Sequence, residues 1–142
     1  MKYHNLIAAS VVLFTIIPLP ARATDLRVVA SDEESEILMD VDTIKDVEGS
    51  HHEAWFITTY NNTHRISDDG PAFRVSFARI FFRCMNITGS ISKLKLFADE
   101  AAVEAMTPVA EFDYPVIWRP VDIKTDVGLM WRYVCTKGWE RN

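Results

Sequence analysis

The residues that could do chemistry in this sequence are carboxylates and imidazoles in its first half. Asp40 and Asp42 lie two positions apart, on one side of the alternating run Glu36–Ile44. Paired aspartates can bind calcium or act in acid–base catalysis. The spacing of a calcium-binding loop, with its glycine, does not follow them. We therefore interpret the pair as the solvated side and the end of a strand.

Three histidines, His51, His52 and His64, are the other candidate ligands. A zinc site needs three or four ligands within tetrahedral reach, and neither an HExxH motif nor a cysteine stands beside these histidines. We expect exposed loop histidines, no metal and no cofactor. The spacing also assembles no set of nucleophile, base and orienting group, which argues against an enzyme.

An export signal is predicted at the start of the sequence. Lys2 and His4 precede the apolar run Leu6–Ile17, and Ala21-Arg22-Ala23 supplies the small residues expected before a cleavage site. We predict cleavage before Thr24, with a retained membrane anchor as the alternative. No cysteine stands at the cleavage site for lipid attachment, so the expected location is the periplasm, the cell surface or the medium.

The charge of the remaining chain restricts its partners. Residues 24–142 are expected to form a single domain of 119 residues. Loss of Lys2 and Arg22 changes the net charge from −5 to −7, because every acidic residue is retained. This balance argues against a general affinity for nucleic acid or for anionic membranes.

The two cysteines, Cys84 and Cys135, are interpreted as one disulfide, because an isolated even pair in an oxidising compartment is most simply a bridge. A metal site and a reactive thiol are the alternatives. Both are disfavoured by the long separation and by the absence of CxxC spacing.

The longest β-like run is Ala72–Cys84. Its apolar residues form two sets that are out of phase by one position: Phe73, Val75 and Phe77, then Ile80, Phe82 and Cys84. We expect one β-bulge near Ala78 to bring both sets onto a single buried face.

A basic outer face is then predicted for this strand and the next. The segment Gly70–Ala98 holds five bases and no acid. The candidate binding face comprises the outward cations and one aromatic ring: Arg74, Arg79, Phe81, Arg83, Lys93 and Lys95. Such a face suits an acidic partner, either a second copy of the chain or an anionic protein. A solvated strand pair whose charges discourage aggregation fits the sequence about as well.

The remaining pattern predicts an α+β fold. Further strands are indicated by alternation and by β-branched or aromatic content: Leu26–Ala30, Glu36–Ile44, Glu53–Tyr60, Ile91–Ala98 and Glu111–Trp118. Asp99 is the expected N-cap of a short helix. The last element, Asp122–Lys137, shows helical spacing of Val127, Met130, Trp131 and Val134. We predict an antiparallel sheet of about six strands, with this helix packed on it and tethered by the disulfide.

With these residues in view, the chain resembles the surface-adhesin protein E family of exported bacterial proteins. The resemblance is carried by segments spread through most of residues 24–142: Met39–Lys45, Ala54-Trp55, the strand that ends in Cys84, Trp118-Arg119-Pro120-Val121 and Val134-Cys135. It implies the tethered-helix fold, homodimers, and binding to host matrix or serum proteins. An envelope-associated partner protein without a host target is the alternative function, and a small hydrolase or metal enzyme is a weaker one.

Overall fold

A computed structural model describes residues 25–47 and 49–140. The predicted signal peptide, residues 1–23, lies outside the described residues. The described chain forms, in order, β1 (Leu26–Ser31), β2 (Ser35–Val47), β3 (His51–His64), β4 (Phe73–Arg83), β5 (Thr88–Phe97), α1 (Glu100–Glu104), β6 (Ala110–Asp113), β7 (Arg119–Pro120) and α2 (Asp126–Cys135), followed by a 3-10 turn, Gly138–Glu140.

The seven strands of the described chain form one antiparallel sheet in the order β1-β2-β3-β4-β5-β6, and β7 pairs with the start of β5. Each strand therefore lies beside the next one along the chain, and short turns suffice to connect most of them. The Asp32 carboxylate accepts hydrogen bonds from the backbone of Glu34 and Ser35, both at 2.8 Å, which fixes the β1–β2 turn. Gly49, with φ of 72°, provides the left-handed conformation in the β2–β3 turn.

One side of the sheet, called here the helix face, is covered by α2. Its buried side chains come from the three central strands and from the helix: Ile37, Met39, Ala54, Phe56, Ala78, Ile80, Phe82, Met130 and Val134. Val127 and Trp131 are half-buried against this cluster, so the predicted apolar stripe of the terminal helix is confirmed. Thr125 caps the helix by accepting a hydrogen bond from the Gly128 backbone.

The disulfide predicted between Cys84 and Cys135 is confirmed, with a Cα–Cα distance of 5.5 Å. It joins the end of β4 to the end of α2. The indole nitrogen of Trp131 donates a long hydrogen bond, 3.4 Å, to the carbonyl of Arg83 beside the bridge. The predicted fold class, an antiparallel sheet with a tethered C-terminal helix, is therefore confirmed.

The predicted β-bulge near Ala78 is wrong. β4 alternates without interruption, and the irregularity lies in its neighbour β5, where Ser92 is the extra residue between the pairs Arg79–Lys93 and Ile80–Ile91. The two apolar sets of β4 consequently lie on opposite faces. The set at the Phe73 end is also sheltered, because Phe73, Val75 and Phe97 are buried in a second small cluster on the side opposite α2. In this cluster Val75 pairs with Phe97, and the Phe77 ring centroid lies 5.0 Å from that of Phe97.

Candidate functional site

The side of the sheet opposite α2, called here the open face, is crossed by two complete rows of directly paired residues. Directly paired residues of neighbouring strands point to the same side of a sheet, so each row can be followed strand by strand. From β1 to β6, the first row consists of Leu26, Asp40, Trp55, Arg79, Lys93 and Asp113. The second consists of Val28, Leu38, Ile57, Phe77, Lys95 and Glu111.

The open face has an apolar half and a charged half. The apolar half comprises the six apolar side chains that β1 to β4 contribute to the two rows, beside Asp40 and Arg79: Leu26, Val28, Leu38, Trp55, Ile57 and Phe77. Leu26 and Val28 are 41% and 55% exposed, while Leu38, Trp55, Ile57 and Phe77 are half-buried. A contiguous apolar surface therefore remains in contact with water on one side of the sheet.

The charged half, on β4 to β6, contains cations and carboxylates in alternation. The Lys93 ammonium lies 3.0 Å from Glu111 and 3.4 Å from Asp113, and Lys95 lies 4.0 Å from Glu111. Hydrogen bonds to Glu111 and, to a smaller extent, to Asp113 raise the pKa of Lys93. The expectation that no acid lies among the cations is therefore wrong, because β6 pairs with β5 and brings its two carboxylates beside the lysines.

Arg74 does not belong to the open face. It lies on the same side of β4 as Ser76 and Ala78, and its guanidinium donates to the backbone carbonyls of Tyr60 and Asn61, both at 3.3 Å. The predicted face of five cations included Arg74 because it assumed a bulge near Ala78. Without that bulge, Arg74 lies on the opposite side from Arg79, and the other predicted residues remain together.

A stack of cationic and aromatic side chains borders the two rows at the β4–β5 end. The Arg79 guanidinium lies 5.5 Å from the centroid of the Phe81 ring, which lies 4.7 Å from that of His51. The His51 ring lies 5.7 Å from Trp118, and the Arg83 guanidinium lies 4.0 Å from the Trp118 centroid. Two permanent cations are thus held in place by rings, with Arg79 further fixed by a 2.7 Å hydrogen bond to the Ser92 hydroxyl.

The histidines are not all where the sequence placed them. His51 and His52 lie in β3 and are half-buried, so the expectation of exposed loop residues is wrong for both. His64 is exposed, at the end of the same strand. Within the described ranges 25–47 and 49–140, no group of three or more histidine, cysteine, aspartate or glutamate residues is arranged to hold a metal ion.

Asp40 lies on the open face between Leu26 and Trp55, its partners on the neighbouring strands. Burial raises the pKa of the Asp40 carboxyl. The hydrogen bond that it accepts from the Asp42 backbone, 3.1 Å, opposes this effect, and the charges of Asp42 and Asp25 add to it. Asp40 and Asp42 therefore both lie in β2 and are linked by this hydrogen bond, where the regular pairing of β2 with β3 is interrupted.

Sequence reasoning missed the apolar half of the open face and the stacking role of Trp118. The signal for the first was present in Glu53–Tyr60, where Trp55 and Ile57 alternate with Ala54 and Phe56, so both sides of the strand are apolar. No local signal pointed to Trp118, because its neighbours Arg83 and His51 are brought to it by the sheet.

The comparison with known families agrees with this architecture. The sequence profile of surface-adhesin protein E matches residues 26–136, which include every strand of the described chain and the whole of α2. The chain belongs to the surface-adhesin protein E family. No curated protein and no solved structure gives a significant match. Membership of the adhesin E family, together with the disulfide, indicates an exported protein whose role is binding.

A search for membrane spans among the described residues finds no helix that is both long and apolar enough to cross a bilayer.

Proposed function

We propose that this protein is an exported, non-enzymatic binding module whose open face engages a protein partner, with host matrix or serum proteins as the target class. The observation that carries the proposal is the composition of the open face. Stable protein interfaces combine an apolar, aromatic centre with a polar rim, and tryptophan and arginine dominate their binding energy. The open face offers Trp55 and Phe77 at its centre, with Arg79 and the Lys93 ion pairs beside them.

The geometry of the sheet supports this assignment of faces. α2 covers the three central strands on the helix face and is held there covalently, so a partner that contacts these strands does so through the open face. The Arg79–Phe81–His51–Trp118–Arg83 stack holds its guanidinium groups in fixed positions. Side chains that are already ordered lose less conformational entropy when a partner binds.

Cleavage before Thr24 is part of the proposal, since a protein that binds outside the cytoplasm must be exported. N-terminal sequencing of protein recovered from the periplasm and the medium tests it. A product that begins at Thr24 supports a cleaved signal peptide, whereas exported material that still begins at Met1 contradicts it.

The binding proposal is tested with two matched pairs of variants on immobilised, purified host matrix and serum proteins. Ile57→Ser and Arg83→Gln alter the open face, whereas Ile66→Ser and Arg74→Gln alter an exposed isoleucine and an arginine outside it. We expect the first pair to weaken binding about tenfold or more and the second pair to leave it unchanged. Circular dichroism establishes that all four variants are folded.

Binding by Arg83→Gln should also depend less on salt than binding by the unaltered protein, because one cation has been removed. Equal losses in both pairs would contradict the open face as the binding surface. Failure to bind any host protein, together with open-face-dependent binding to an envelope protein, would instead support the alternative of an envelope partner. Sedimentation of the same variants shows whether a second copy of the chain occupies the face.

A further inference from the structure

An apolar groove of about 520 Å³ lies on the helix side of the sheet, away from the open face. It runs along β5 between residues 114–121 and the beginning of α2. Its walls are formed mainly by aliphatic side chains: Ile80, Ile91, Leu94, Ile117, Val121 and Val127. This volume falls within the range of sites that bind small organic ligands, which are likewise mostly apolar.

The groove exists because the outer edge of β5 is only partly paired. β6 pairs with residues 93–96 of β5, and β7 pairs with residues 88–89. Between β6 and β7, two hydrogen bonds attach the connecting segment to β5. The Tyr114 backbone donates to the Ser92 carbonyl at 3.0 Å, and the Ile117 backbone donates to the Ser90 hydroxyl at 2.9 Å. This connection leaves Ile91 and Ile117, 40% and 51% exposed, as apolar groove walls in contact with solvent.

The two ends of the groove differ in polarity. Pairing of Arg119 with Gly89 places this cation at one end, and Tyr114 and Pro115 lie near Leu94 at the other. The five residue steps along β5 from Gly89 to Leu94 correspond to about 16 Å. Within the described chain the Arg119 side chain makes no ion pair, whereas the Asp122 carboxylate accepts a hydrogen bond from the Lys124 backbone at 2.9 Å. This end therefore carries a cation, Arg119, and a carboxylate, Asp122, and of the two only Arg119 can pair with an anionic head group.

The backbone of the groove disfavours a peptide as its occupant. A bound peptide needs hydrogen-bond partners for its own N–H and C=O groups once water is removed. The Ser92 carbonyl and the Ser90 hydroxyl, which lie at the open part of the edge, already accept hydrogen bonds from Tyr114 and Ile117. An aliphatic chain needs no such partners and gains free energy for each methylene group that it buries.

We propose that this groove binds a fatty acid, with its aliphatic chain along β5 and its carboxylate at Arg119. The chain contacts Ile91, Leu94 and Ile117, and the guanidinium neutralises the head group. The open-face proposal does not depend on this site, because the groove residues lie on the other side of the sheet or at its edge.

Titration calorimetry of the purified exported protein with decanoate, below its micelle concentration, tests the site. We expect one decanoate per protein molecule and an increase in the melting temperature with ligand concentration. Ile117→Ser should raise the dissociation constant about tenfold. Val116→Ser is the matched control: Val116 is 52% exposed and adjacent in sequence, but does not line the groove, so binding should be unchanged.

The head-group assignment has its own test. Arg119→Gln should weaken binding of decanoate about tenfold and leave binding of decan-1-ol unchanged, because the alcohol has the same chain and no charge. An equal loss for both ligands would overturn the contact with Arg119. No decanoate binding, or equal binding by the Ile117→Ser and Val116→Ser variants, would overturn the site. Competition with decanoate by an apolar peptide, but not by decan-1-ol, would assign the groove to a protein partner instead and also overturn the proposal.

Discussion

The guanidinium of Arg83 lies 4.0 Å from the centroid of the Trp118 ring, on the open face. The backbone carbonyl of the same residue accepts the hydrogen bond from Trp131 of α2. Arg83 therefore contacts two tryptophans from different parts of the chain, one through its side chain and one through its backbone, beside the Cys84 end of β4. This position makes Arg83 a connection between the open face and the tethered helix.

We predict a measurable coupling energy between Arg83 and Trp118. In a double-mutant cycle of Arg83→Ala and Trp118→Ala, urea unfolding should give a coupling of about 0.5–1 kcal/mol, the range of a partly exposed cation–aromatic contact. A second cycle that combines Arg74→Ala with Trp118→Ala is the control, and its effects should add, because Arg74 lies on the other side of β4. Coupling of equal size in both cycles would show that the variants share a global effect rather than this contact.

Removal of the disulfide should cost a large part of the stability. The bridge closes a loop with a sequence separation of 51 residues, and the chain-entropy model assigns about 4 kcal/mol to a loop of this length. The Cys84→Ser/Cys135→Ser variant should therefore unfold at markedly lower urea concentration, with α2 held only by the packing of residues such as Met130 and Val134. Thiol titration of the denatured, unreduced protein should detect no thiol, and two free thiols would contradict the bridge.

The sequence was sufficient for the parts of the fold that depend on local pattern. The helical spacing of Val127, Met130 and Val134 predicted α2, and the isolated cysteine pair predicted its tether. The sequence was not sufficient for the side to which each residue of β4 points. The apolar pattern of β4 can be assigned to sides only if it is known whether both sides of the strand are buried. Val75 is covered by Phe97, which lies on β5, so local pattern could not show that its side is buried.

The candidate site was likewise predictable only where local pattern determines which residues share a face. Arg79, Phe81 and Arg83 share a face by simple alternation, and Lys93 and Lys95 join them through antiparallel pairing. The neutralising carboxylates, Glu111 and Asp113, could not be placed from local pattern. Their position depends on the register between β5 and β6, which the tertiary structure sets.

Gly128→Ala should destabilise the protein, although alanine normally stabilises a helix by about 1 kcal/mol relative to glycine. A Cβ atom at Gly128 would lie close to the backbone of the preceding turn, 2.5 Å from the Cα of Ile123, and backbone cannot rotate away as a side chain can. We expect a loss of about 1–3 kcal/mol in urea unfolding, the usual cost of overpacking. Leu129→Ala, at an exposed position of the same helix, is the control and should change stability much less.

Asp40→Asn should stabilise the protein at neutral pH by an amount that disappears in acid. Burial raises the pKa of Asp40 in the folded state above its ordinary value of 3.8, so the folded protein binds this proton more tightly than the unfolded chain. Stability is therefore lost as the pH rises from 3.8 through the folded-state pKa, and the penalty remains constant above it. Asparagine removes the charge and keeps an oxygen that can accept the Asp42 hydrogen bond.

Thermal unfolding of both proteins across this pH range measures the effect. The melting temperature of the Asp40→Asn variant should exceed that of the unaltered protein by a few degrees at most at neutral pH, and the two should converge below pH 3.8. Glu36→Gln, which removes an exposed carboxylate from the same strand, controls for the change in net charge and should show a smaller difference. A constant difference between the Asp40 proteins at every pH would mean that packing, rather than the buried charge, separates them.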